Sequence, residues 1–64
     1  MFTIKVYYKS GQKGYWEAPS VNVSENNKII YLGGDKGENL ELEGTESVYI
    51  ENSNGKTIHI IQGN

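Results

Sequence analysis

Sixty-four residues without a cysteine make one small domain at most, and they exclude a disulfide framework and a thiolate metal site. A single histidine, His59, and a single aspartate, Asp35, leave most metalloenzyme and catalytic-triad chemistries without their parts. A formal charge of −2, eight glycines and five tyrosines, with only 36% hydrophobic residues, point to strands and turns and away from a helical bundle.

A chain of this length buries only about 60% of its unfolded surface. Good sheet packing and self-association are the supplements left to it. Residues 1–10 alternate apolar and polar positions without a long apolar run. Neither a signal peptide nor a transmembrane helix is expected, and the expected location is cytoplasmic. Residues 1–16 hold Lys5, Lys9 and Lys13 with no acid, while the remainder sets three lysines against eight acids. Lysine without arginine, with many asparagines and isoleucines, fits the codons of an AT-rich genome, such as a low-GC bacterium or its phage.

A period of two runs through almost the whole chain. Phe2, Ile4, Val6 and Tyr8 share one face of a first strand, with Thr3, Lys5, Tyr7 and Lys9 opposite. Ser10–Gly14 turns the chain into a second strand over Tyr15–Ala18, pairing Tyr8 with Trp16 and Val6 with Ala18. Tyr8 and Trp16 are then core residues. Pro19 ends this N-terminal hairpin, residues 2–18. In the central hairpin, residues 21–32, a two-residue Asn26-Asn27 turn pairs Glu25 with Lys28, Val23 with Ile30 and Val21 with Leu32. Ile29 and Tyr31 face outward. Gly33–Gly37 forms a connector between two halves.

The last third, residues 39–61, predicts a three-strand meander. Leu40 and Leu42 lead, Gly44–Glu46 turns, Val48 and Ile50 follow, and Ser53–Gly55 closes a hairpin with a bulge at Gly55. Ile58 then faces Ile50 and Ile60 faces Val48. The outer face would line up Glu41, Tyr49 and His59, with Ile61 and Glu51 in flanking rows. The expected fold class is all-β: about six short antiparallel strands in a small twisted barrel, SH3-like or OB-like in shape, or in two packed sheets.

Two surfaces invite a function. On the N-terminal hairpin, Lys5, Tyr7, Lys9 and Tyr15 share an outer face with Lys13 at the loop tip, the composition single-stranded nucleic acid needs. Aromatics also favour strands, and edge lysines discourage aggregation, so the pattern has an ordinary explanation too. On the C-terminal sheet, Tyr31, Glu41, Tyr49, Glu51, His59 and Ile61 are candidates for a partner surface, since aromatics ringed by charge resemble an interface. A carboxylate near His59 could serve acid–base chemistry, but no nucleophile or oxyanion pocket accompanies it. The Gly33–Glu38 run lacks the phosphate-loop and calcium-loop spacings, so no cofactor or metal is expected. The expectation is a non-enzymatic domain acting by protein contact and self-associating as a homo-oligomer, of the size and composition of a phage accessory or modulator protein. Single-stranded nucleic-acid binding through the N-terminal hairpin is the alternative.

Overall fold

The alternating pattern folds into strands wherever turn-forming residues bracket it. The computed structural model describes residues 1–35 and 37–63. Its strands are β1 (Phe2–Tyr7), β2 (Lys13–Ala18), β3 (Val21–Val23), β4 (Ile29–Leu32), β5 (Asn39–Glu41), β6 (Ser47–Glu51) and β7 (Thr57–Ile61). They form two antiparallel sheets, one ordered β2-β1-β6-β7 and the other β3-β4-β5. The fold is therefore all-β, with seven strands in place of about six, in the two-packed-sheet arrangement. No helix among the described residues is long and apolar enough to cross a membrane.

The sheets share one core. Ile4, Val6, Ala18, Val48, Ile50 and Ile61 from the larger sheet meet Ile30 and Leu32 from the smaller. Each fully buried aliphatic side chain stabilises the fold by about 1.5–3 kcal/mol. Trp16, Val21, Val23, Leu40 and Leu42 pack around this cluster.

The central hairpin keeps its expected register, Val21 opposite Leu32 and Val23 opposite Ile30. Its turn differs. The Ser24 hydroxyl accepts the N–H groups of Lys28 and Ile29, at 3.1 and 3.0 Å. The Ser24 amide donates to the Ile29 carbonyl at 2.9 Å, and Asn27 takes a φ of 59°. Glu25 and Lys28 thus belong to a four-residue loop and are not ladder partners.

The N-terminal hairpin turns more tightly than expected. The Tyr8 amide donates to the Gln12 carbonyl, and Gly11, at φ 95°, occupies the left-handed position that closes the loop. Ile4 consequently meets Trp16, and Phe2 meets Ala18. The shift is even, so every side chain keeps its face. Tyr8, however, leaves the strand and becomes exposed. Trp16 is half-buried, its indole lying where a side chain on Gly14 would stand.

The C-terminal meander does not form. β5 pairs with β4 in the smaller sheet, and β6 lies between β1 and β7 in the larger. Leu40 and Leu42 alternate identically beside either neighbour, so their period does not name the partner strand. Two interactions decide. The Leu42 amide donates to the Lys28 carbonyl, extending the central hairpin. The carboxylate of Glu46 then accepts the amides of Glu43, Gly44 and Thr45, reversing the chain towards the other sheet. β4 and β5 being neighbours, Gly33–Gly37 links strands of one sheet and not two halves; Lys36 lies outside the described residues.

β7 also departs from its expected register. Ile50 faces His59, yet Glu51 faces Thr57, which leaves Ile58 as an extra residue in a bulge. Beyond the bulge each side chain is turned over. Ile61 is buried beside Val48, while Ile60 stands beside Tyr49 and is 52% exposed.

Candidate functional site

The outer face of the four-stranded sheet gathers side chains from all four strands. Register places Tyr15, Lys5, Tyr49 and Ile60 in one row across it. Lys13, Tyr7 and Ser47 form the next row. Glu17, Thr3, Glu51 and Thr57 form the row on the other side. Their neighbours Ile4, Val6, Val48 and Ile50 point inward because strand side chains alternate.

Aromatic and charged groups interlock on this surface. The Tyr7 and Tyr49 rings meet edge to face, centroids 5.6 Å apart and planes at 80°. The Lys13 ammonium lies 5.8 Å from the Tyr7 centroid, within cation–π range. The Lys5 ammonium is 3.1 Å from the Glu51 carboxylate. That hydrogen bond and the Glu51 charge raise the Lys5 pKa above its ordinary 10.5, so Lys5 is more firmly protonated. The Tyr15 hydroxyl donates to Glu17 at 3.2 Å. Two shallow depressions flank Lys5 and Tyr7, one rimmed by Tyr49, Ser47 and Glu51, the other by Lys13 and Tyr15.

The two expected surfaces are therefore redistributed. Lys5, Tyr7, Lys13 and Tyr15 do share a face, although Lys13 is a strand residue and not the loop tip. Tyr49 and Glu51 join them because β6 pairs with β1. Lys9 sits in the β1–β2 loop beside a depression lined by Glu41 and Glu43, away from this face. Tyr31 and Glu41 belong to the other sheet, opposite Asn39 and Ile29 respectively. His59 lies opposite Ile50, by a depression with Phe2, Val21 and Val23, and Ile61 is buried. The Glu41–Tyr49–His59 line is thus absent, its members lying on two sheets and two faces.

Ile60 and Glu46 are additions that sequence reasoning missed. The adjacent pair Ile60-Ile61 is compatible with either register, which is the only signal the chain offers for Ile60. Glu46 reads as one more turn acid. It is instead buried and forms its loop's anchor. Burial acts to raise its pKa, but the backbone amides around it prevail and hold its carboxyl below the ordinary 4.5. Among the described residues no three His, Cys, Asp or Glu side chains are grouped to hold a metal ion.

No family model, no curated protein and no solved structure matches the chain.

Proposed function

We propose that the chain is a non-enzymatic binding domain that acts by protein contact through the outer face of its four-stranded sheet. The observation that carries this reading is the convergence of Tyr7, Tyr15, Tyr49 and Ile60, one from each strand, around the Lys5–Glu51 pair. Tyr15 and Ile60 are 60% and 52% exposed, and Tyr7 is also exposed. Tyrosine offers contact area, a hydrogen-bonding tip and little rotamer entropy to lose, which is why it dominates interface centres. An open sheet face excludes water poorly, which favours binding over chemistry.

The nucleic-acid reading has one specific support, the shared face of Lys5, Tyr7, Lys13 and Tyr15. Charge weighs against it. Lys5 is already paired with Glu51, and Lys13 shares the face with Glu17, so positive and negative charges balance. Single-stranded nucleic acid needs a net positive track. A protein partner with its own mixed polar and apolar surface needs none.

The test is capture from a nuclease-treated lysate of the source organism, with tagged wild-type protein and with Tyr7→Ala/Tyr49→Ala. A partner retained by the wild type and by Tyr31→Ala, but lost by the double variant, supports the reading. Equal capture by all three overturns it.

A further inference from the structure

Among the described residues no strand pairs with the outer edge of β2 or of β7 in the four-stranded sheet, and the two edges differ. β7 is interrupted by its bulge at Ile58, a feature that protects an edge from further pairing. β2 is regular along its six residues, Lys13–Ala18. Antiparallel pairs alternate between hydrogen-bonded and non-bonded. Because the Tyr8 amide bonds the Gln12 carbonyl at the loop, the bonded pairs of this ladder are Val6–Gly14, Ile4–Trp16 and Phe2–Ala18. The N–H and C=O groups of Lys13, Tyr15 and Glu17 therefore point out of the outer edge of β2.

The same three residues place their side chains on the outer face, in the order cation, aromatic, anion. Read antiparallel about Tyr15, this order is complementary to itself. We infer that β2 pairs with β2 of a second copy about a two-fold axis at Tyr15, setting Lys13 opposite Glu17 of the other copy. Tyr15 then meets its own equivalent, and each Lys13–Glu17 pair places opposite charges on directly facing residues. On the inner side Gly14 comes opposite Trp16 of the other copy. Each Trp16 indole already lies over Gly14 of its own chain. Pro19 follows the strand and has no N–H to donate, so the ladder stops where the strand does. The interface uses one edge of each copy and closes on itself, giving a dimer with a continuous eight-stranded sheet and not a fibre.

This inference goes beyond the outer-face contact proposed above and does not depend on it. That reading is tested at Tyr7 and Tyr49, whereas this one turns on Lys13 and Glu17. The experiment is sedimentation equilibrium at submillimolar concentration on the wild type, Lys13→Glu, Glu17→Lys and the double swap. The wild type is expected at twice the 7.2 kDa of one chain. Each single swap opposes like charges at two symmetric places and should weaken the dimer by about tenfold or more, and the double swap should restore it. Because the chain has no cysteine, Tyr15→Cys gives a second readout. Facing residues of a bonded pair have Cα atoms about 5.5 Å apart, within the reach of a disulfide. Oxidation should link two Tyr15→Cys copies but not two Ile60→Cys copies. A monomeric wild type, a double swap no better than the singles, or linkage through Ile60→Cys instead would each overturn the inference.

Discussion

Lys5 and Glu51 face each other diagonally across the β1–β6 ladder, ammonium to carboxylate at 3.1 Å, in the middle of the aromatic face. The pair cancels the charge that would otherwise make this face attractive to phosphate. Glu51→Gln should therefore create measurable binding of a single-stranded oligonucleotide that the wild type lacks, read by fluorescence anisotropy at low salt. The pair also has a pH signature. Going up from neutral pH, its stabilisation is present until about 10.5 and is lost as pH rises through the raised pKa of Lys5. Above neutral pH the wild type should accordingly lose thermal stability relative to Glu51→Gln in that alkaline range.

The bulge in β7 is tested by two neighbouring isoleucines. Ile61 is 9% exposed and packs in the core, so Ile61→Ala should cost about 2–4 kcal/mol in urea unfolding. Ile60 stands on the outer face, and Ile60→Thr should stay within about 0.5 kcal/mol of the wild type. A regular hairpin without the bulge would reverse the order.

Glu46 links the two sheets through a loop of backbone amides. Glu46→Gln keeps the shape but weakens acceptance of the Glu43, Gly44 and Thr45 N–H groups, and should cost about 1–2 kcal/mol at neutral pH. Its folded pKa is depressed, so the contribution is present above pH 4.5 and is lost as pH falls through the folded value. The difference between wild type and variant should shrink over that acid range in unfolding curves.

Gly63 lies against the same loop. A side chain there would collide with the carbonyls of Thr45 and Glu46, which belong to the backbone and yield little. Gly63→Ala should destabilise the protein by about 1–3 kcal/mol in urea unfolding, whereas Gly44→Ala meets no neighbouring atom among the described residues, only its positive φ.

Much of the fold was legible in the period of two. It placed Ile4, Val6, Ile30, Leu32, Val48 and Ile50 inward, where the structure has them. What it does not carry is which strand lies beside which. Leu40 and Leu42 read alike next to β4 or β6, and the chain is reversed by the amides that the Glu46 side chain collects from the three residues before it, a turn that alternation does not register. Nor does alternation foresee an extra residue, and one bulge exchanged the places of Ile60 and Ile61. The candidate site was legible by halves for the same reason. Lys5, Tyr7 and Tyr15 were grouped correctly by one hairpin, but Tyr49 and Glu51 reached them only through the β1–β6 pairing.

The central claim is that the Tyr7–Tyr15–Tyr49 face contacts protein and not nucleic acid. The most direct measurement is the binding of the purified protein to a single-stranded oligonucleotide and to the nuclease-treated lysate, each compared with Tyr7→Ala/Tyr49→Ala. The account predicts negligible oligonucleotide binding at physiological salt, and a protein partner captured by the wild type but lost by the double variant. Tight, steeply salt-dependent oligonucleotide binding that the same two substitutions abolish would contradict it.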